Sequence, residues 1–169
     1  RQMCIRDREE AGYYLSWGET EPKSYYHYKK TALYGVAIDD ISNNEIYDVA
    51  LKKWGNGWSI PTKNQWDELI RYCKYKLIER NGIRGFLFIG KNGKSIFFPF
   101  GGEKGDEILS FKGGNGFYWS SNADYRYIGN PTVSPDNAYS TQYQMYADGE
   151  IRCYASFRGD GYNIRPVTK

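Results

Sequence analysis

The apolar positions of this chain change period part-way along it. After Pro61, the residues Trp66, Leu69, Ile70, Cys73 and Leu77 recur at helical spacing and would share one face of a helix. Thr62 and Gln65 precede that run with the spacing of a capping box, in which each side chain satisfies an orphan backbone N–H of the first turn. The pattern predicts an amphipathic helix opening at Thr62 that packs Trp66, Leu69, Ile70 and Cys73 into the main core. A shorter helix is predicted over about residues 44–53, with Ile46, Val49 and Ala50 inward and Gly55 as its stop.

Beyond residue 80 the pattern is that of strands. Phe86-Leu87-Phe88-Ile89 and Ile96-Phe97-Phe98 flank Asn92-Gly93, a dipeptide that accepts the positive φ angles of a type I′ hairpin turn. Asp148-Gly149 repeats the device between Tyr139–Tyr146 and Ile151–Phe157. As a two-residue loop it would set Tyr143 opposite Tyr154 and Met145 opposite Arg152 on one face. Gln144 with Cys153 and Tyr146 with Ile151 would then share the other. Helices come early and antiparallel strands late, so the predicted class is α+β. No linker, repeat or low-complexity stretch divides the chain, which reads as a single domain over 9–169.

Composition narrows the picture. The 169 residues suit one domain, able to bury roughly 70% of the surface that the unfolded chain would expose. Aromatic residues make up 18% and outnumber Val, Ile and Leu together. With 19 glycines this excludes a helix bundle, which needs periodic Leu and Ala, and so many large rings exclude disorder. Trp54, Trp58, Trp66 and Trp119 are expected in the core, because large rings bury the most area per residue. Gly116, Gly149 and Gly161 read as backbone devices. The longest apolar stretches, 85–90 and 96–100, fall far short of the roughly 18 residues of a membrane helix, so no membrane insertion is expected.

The net charge is +3, from 23 basic and 20 acidic residues, and +2 of it sits in residues 1–8. No stripe of Lys and Arg remains to neutralise phosphates, so nucleic acid is not an expected partner. Met3-Cys4-Ile5-Arg6-Asp7-Arg8 resembles the translation of a transposase adapter used in sequencing libraries, and 1–8 are read as a non-native tail. Apart from Cys4 the cysteines are Cys73 and Cys153, with no CxxC spacing for zinc or redox chemistry. Both are expected as buried thiols and not as a disulfide.

Several motifs, in order, carry a family resemblance. Tyr13-Tyr14-Leu15-Ser16-Trp17-Gly18-Glu19-Thr20 is followed by Trp54-Gly55-Asn56-Gly57-Trp58-Ser59-Ile60-Pro61-Thr62 and Trp66-Asp67-Glu68-Leu69. Asn81-Gly82-Ile83-Arg84-Gly85, Ser95-Ile96-Phe97-Phe98-Pro99, Gly116-Phe117-Tyr118-Trp119-Ser120-Ser121 and Ile164-Arg165-Pro166-Val167 complete the set. Together, over about residues 12–169, they resemble the Fibrobacter succinogenes major paralogous domain. The resemblance implies a C-type-lectin-like fold, two helices flanking a twisted antiparallel sheet with long loops that carry the binding surface. It also implies a bacterial protein that is secreted or attached to the cell surface. Arg165 before Pro166 is expected to anchor the C-terminal strand through its five donors.

Enzyme chemistry finds little footing. His27, the only histidine, sits in Tyr25-Tyr26-His27-Tyr28 with no obvious nucleophile nearby. Asp39-Asp40 and Asp106-Glu107 are adjacent pairs, whose side chains diverge on a helix or strand, and read as solvated loops. No phosphate loop, nucleophile elbow or dinucleotide fingerprint occurs. The lectin-like fold also includes formylglycine-generating oxidases, which need two closely placed C-terminal cysteines for copper, and only Cys153 stands there. Calcium-binding lectins carry Glu-Pro-Asn or Gln-Pro-Asp and a Trp-Asn-Asp strand. Here Glu21-Pro22-Lys23 lacks the third ligand, and Trp119 is followed by Ser120-Ser121. Asp136-Asn137 and Asn122 with Asp124 offer oxygens, short of the six to eight that Ca²⁺ takes. No catalytic residue, metal or cofactor is expected.

The remaining signal is a stretch after Trp119 rich in Tyr, Asn, Asp, Ser and Arg, a composition that supplies large contact area and adaptable hydrogen bonds in binding surfaces. Tyr125, Tyr127, Tyr143, Arg152 and Tyr154 are the expected contacts, with Asp160 and Tyr162 at the rim. The segment also resembles the variable region of diversity-generating retroelement proteins. The expected function is a non-enzymatic module binding a protein or glycan. A structural surface protein without a ligand and a degenerate relative of the formylglycine-generating oxidases are the alternatives.

Overall fold

The computed structural model describes residues 12–130 and 137–168. The tail 1–8 and Asp136 lie outside the described residues. The architecture is mixed α+β, with two short helices and mostly antiparallel sheets.

Helix α1 (Val49–Trp54) is organised by the buried carboxylate of Asp48. Oδ1 accepts the N–H groups of Ala50 (2.9 Å) and Leu51 (3.1 Å), Oδ2 accepts that of Asn43 (2.8 Å), and both oxygens face Ile60 N–H at 3.2 Å. One side chain thus starts the helix and ties it to strand β1 (Trp58–Ser59) beyond it. Because Asp48 caps, the helix begins later than the apolar spacing suggests, and Ile46, expected inward, is 66% exposed. Gly55 ends it as expected, at φ 81°, a conformation that glycine adopts without strain.

Helix α2 (Lys63–Tyr72) carries the predicted capping box, Thr62 with Gln65. Trp66 is buried, with Leu69, Ile70 and Cys73 packed half-buried beside it. The helix stops at Tyr72 because Cys73 is extended, and the chain runs directly into β2 (Lys74–Arg80). Leu77, expected on the helix face, therefore lies exposed on an edge strand opposite Phe86.

Strands β2, β3 (Ile83–Ile89) and β4 (Ser95–Pro99) form one antiparallel sheet. The β3–β4 turn is not type I′: Gly90 N–H reaches Lys94 O (2.9 Å), Gly93 N–H reaches Gly90 O (3.0 Å), and only Gly93 of the Asn92-Gly93 pair has positive φ. This is a three-residue loop closed by a glycine bulge. A small hairpin follows, β5 (Glu103–Gly105) with β6 (Ile108–Ser110).

The sheet that organises the molecule is β7 (Asn115–Ala123), β8 (Tyr139–Tyr146) and β9 (Ile151–Phe157), in that order. One face carries Tyr118, Tyr143 and Met145 into a cluster with Trp66, Phe86, Phe88, Phe98 and Phe100. The other carries Phe117 and Trp119 into a second cluster with Leu15, Trp17, Leu33, Val49 and Tyr162. The chain's early and late segments meet there: Leu15 bridges Tyr162, and β1 pairs with β10 (Val167–Thr168). Trp66 and Trp119 are core as expected, and Trp17, for which no such expectation is drawn, is core as well. Trp54 is exposed and Trp58 half-buried, tilted against each other at 6.3 Å, because they flank the exposed turn at the end of α1.

Arg158 is fully buried beside this second cluster. Its guanidinium lies over the Trp17 ring (4.4 Å) and donates to the carbonyls of Leu33 (2.8 Å), Val36 (2.7 Å) and Tyr139 (3.2 Å) and to Ser140 Oγ (3.1 Å). Burial, with no carboxylate partner among the described residues, pulls its pKa down to about 10. Arg165 holds its guanidinium over the Phe98 ring at 5.9 Å. Cys73 and Cys153 are free thiols, half-buried rather than buried.

The β8–β9 turn decides the site. Tyr146 N–H bonds to Glu150 O (2.9 Å) and Gly149, at φ 101°, to Tyr146 O (3.1 Å), so the loop holds three residues and not two. The register moves by one: Tyr143 faces Cys153, Gln142 faces Tyr154, Gln144 faces Arg152, and Met145 faces Ile151. A one-residue slip exchanges the faces of a strand. Tyr143, expected as an accessible ring paired with Tyr154, is 1% exposed and stacks on Trp66 at 5.0 Å.

Candidate functional site

On the face of β8 and β9 opposite Tyr143, the second core covers only the β7 side. Gln142, Gln144 and Tyr146 on β8 and Tyr154 and Ser156 on β9 line an open cleft of about 430 Å³. Phe117 and Tyr162 continue it toward the core, and Glu103 and Phe111 of the β5–β6 region form its far wall. The β5–β6 hairpin is held by backbone bridges of Lys104 with Gly161 and of Asp106 with Tyr26, and just before it by Gly102 with Gly116. A side chain on Gly161 would run into the Tyr26 ring and Lys104, so this approach requires glycine. Phe111 is 58% exposed and tilts toward Phe117 at 6.0 Å.

The cleft has two polar ends. At one, the hydroxyls of Tyr146 and Tyr154 are 3.0 Å apart, and the Arg152 guanidinium lies 4.8 Å from the Tyr146 ring centre while paired with Glu150. Burial and the neighbouring phenol push Tyr146 up to about 12, whereas hydrogen bonds from Tyr146 and then Arg152 lower Tyr154. At the other end Tyr162, buried against Trp119 (4.4 Å) and Phe117 (5.5 Å), donates its hydroxyl to Asp160 Oδ2 at 3.2 Å. Burial, with the charges of Glu103 and Asp106 behind it, pushes Asp160 up to about 7. Burial also raises Glu103, against the opposing pull of the Tyr162 hydroxyl. The Tyr162 phenol is pushed far up by its own burial.

The expected contact residues are thereby divided. Tyr154 and Tyr162 line the cleft, Asp160 sits behind Tyr162, and Arg152 flanks Tyr146. Tyr162, expected at a rim, is instead buried floor. Tyr143 belongs to the opposite core, where its hydroxyl donates to Asp67 Oδ1 (2.5 Å). Tyr125 and Tyr127 are exposed but elsewhere: Tyr125 bonds to Asp39, and Tyr127 packs on Tyr139 at 5.0 Å, on the Tyr143 side of β8. Arg126 grips Asp124 between them and reaches Cys153 O at 3.4 Å. Asn122 accepts Lys63 N–H at 2.7 Å, at the opening of α2.

Sequence reasoning missed Glu103, Phe111, Phe117, Gln142, Gln144 and Tyr146 as cleft residues. For the β8 residues a signal existed, since the amides Gln142 and Gln144 alternate with the apolar Tyr143 and Met145. For Glu103 and Phe111 none did, because long-range bridges bring them to the site.

Chemically the cleft offers aromatic faces, two amides, the hydroxyls of Ser156 and three tyrosines, and a carboxylate. Hydrolysis of a glycosidic bond uses two carboxylates flanking the bond, and here Glu103 alone among the lining residues is acidic. His27 Nδ1 accepts Lys29 N–H at 3.2 Å and its ring lies against Tyr28, away from these groups. Among the described residues no three or more His, Cys, Asp or Glu side chains gather as a metal cluster would, and no helix is long and apolar enough to cross a membrane. No family model, curated protein or solved structure matches the chain.

Proposed function

We propose that this protein is a non-enzymatic binding module that captures a protein or glycan ligand in the cleft on the outer face of β8 and β9. The observation that carries this reading is the cleft itself: an open depression of about 430 Å³ whose lining combines aromatic rings with amide, hydroxyl and carboxylate groups. Its lining of Tyr, Gln and Ser is the mixture of rigid aromatic area and adaptable hydrogen bonding that binding surfaces use. Tyr125 and Tyr127 are exposed outside the cleft lining, Tyr125 bonded to Asp39 and Tyr127 against Tyr139.

The same proposal extends to origin. The ordered motifs of the sequence support a C-type-lectin-like domain of the Fibrobacter major paralogous kind, secreted or held at a bacterial cell surface. Two short helices beside antiparallel sheets are compatible with that fold. A retroelement-diversified variable protein is the special case in which the polar C-terminal residues vary. A reverse transcriptase gene beside a near-copy of the 3′ coding segment would identify it, and an upstream leader with a lipobox would establish export.

The test is a glycan and purified-protein array probed with the full chain and with Tyr154→Ala. A ligand bound by the first and lost by the second is expected. A ligand held equally by both would move the site away from the cleft. A structural protein without a ligand is the second reading, favoured by the packing of Tyr143 on Trp66 and of Tyr162 on Trp119. An array without a single binder would favour it over a binding role.

A further inference from the structure

We infer that the cleft accepts a saccharide bearing a free amino group, its ring held against the aromatic lining and its ammonium set against Glu103. This rests on the cleft being the binding site, and it adds the chemical class of the ligand.

The floor asks for hydrogen-bond donors. Gln142 is 2% exposed, lines the cleft, and has a buried carbonyl Oε1 with no partner. An orphan buried acceptor is a standing desolvation penalty, so a ligand hydroxyl that reaches it as the side chain turns toward the cleft restores a lost interaction. Gln144 next to it on the same face presents a second amide, able both to donate and to accept, as a ring of hydroxyls does. The lining asks for a flat or ring-shaped body, since the exposed Phe111 ring and the rings of Tyr146 and Tyr154 are all part of it.

The far end asks for a cation. Glu103 lines it, with Asp160 behind Tyr162, and neither is in an ion pair among the described residues. Lys104, next along the strand, holds its ammonium over the rings of Tyr14 and Tyr26 at 5.6 and 5.7 Å. Arg152 is spent on Glu150 and the Tyr146 ring at the opposite end. Burial already holds the Glu103 carboxyl above its ordinary range, which an adjacent ammonium would reverse. A lysine-bearing peptide would answer the carboxylate and would have only backbone N–H and C=O groups for the two amides, whereas a sugar ring brings several hydroxyls that each donate and accept.

Titration calorimetry on the full chain separates these possibilities, using an oligomer of β-1,4-linked glucosamine, its fully N-acetylated counterpart, and oligolysine. The glucosamine oligomer is expected to bind, about tenfold or more tighter than the acetylated one, and to lose about tenfold in Glu103→Gln. Tyr154→Ala is expected to abolish it. Equal binding of both oligomers, with Glu103→Gln unaffected and Tyr154→Ala inactive, would overturn the amine while leaving the cleft as the site. Oligolysine binding tighter than either saccharide would overturn the sugar. Silence from all three probes overturns this inference, and the array then judges the cleft separately. The comparison of free with acetylated oligomer uses the unaltered protein, so it stands if Glu103→Gln fails to fold.

Discussion

The two faces of β7-β8-β9 are built from alternate residues of the same strands and have opposite fates. On one face Tyr118 and Tyr143 are sealed against Trp66 and Phe98, and each hydroxyl is engaged, Tyr118 with Pro99 O at 2.6 Å and Tyr143 with Asp67. On the other, Trp119 and Phe117 are sealed but Gln142, Gln144, Tyr146 and Tyr154 face a cleft, with one amide oxygen unanswered. The side chains are similar in size and aromatic content. What differs is the covering layer: helix α2 and the β2–β4 sheet close the first face, while the early segment closes only the β7 side of the second.

The strongest test of that contrast is Trp66→Ala. It removes the ring on which Tyr143 stacks and should cost about 3–5 kcal/mol in a urea titration, the range for large aromatics in cores. A cost below about 1 kcal/mol would mean that the first face is not sealed.

Asp160 gives the second test, through pH. Its folded pKa of about 7 lies above the ordinary 3.8. Between those values the folded state keeps a proton that the unfolded chain has released, so stability falls as pH rises. Above about 7 both states are ionised and the penalty is complete. Asp160→Asn should therefore be the more stable protein at pH 8 by roughly 2–3 kcal/mol more than at pH 5. Parallel pH profiles for the two proteins would show that Asp160 is solvated.

A smaller effect separates the two tyrosines that the two-residue turn would have paired. Tyr143→Phe deletes a hydroxyl bonded to a carboxylate and should cost about 1–2 kcal/mol. The smallest expected change is Tyr154→Ala, within about 1 kcal/mol of the unaltered protein while ligand capture on the array is lost. Equal destabilisation by both would erase the distinction between a packing face and a binding face.

These residues also show what the sequence made legible. Helix α2 was readable because its signals are local: a capping box, then four apolar residues in phase. The same periodicity ran on to Leu77 only because a strand residue happened to fall in step. Asp148-Gly149 suits a two-residue loop and equally a three-residue loop with glycine at its close, and nothing local chooses between them. The choice lay in the alternation of Gln142 and Gln144 with Tyr143 and Met145, a burial signal that outranks turn chemistry when one face is a core. Asp48 was invisible as an organiser because its role depends on Asn43 and Ile60 arriving together. Glu103 and Phe111 reach the cleft through bridges to residues far along the chain, and no spacing records those.

The buried Arg158 has a consequence for the time at which this molecule can exist. Its guanidinium is answered by the carbonyls of Leu33 and Val36, which leave the ribosome 125 and 122 residues before it. At the usual 5–20 residues per second, that is a wait of roughly 6–25 seconds. For most of it Leu15, Trp17 and Leu33 have no Trp119 to pack against, and Tyr162 follows only after Arg158. The nascent chain must carry these apolar groups uncovered until almost its last strand emerges. Slowing translation early in the message should therefore do little harm, whereas a pause between Leu33 and Arg158 prolongs the exposure that invites aggregation.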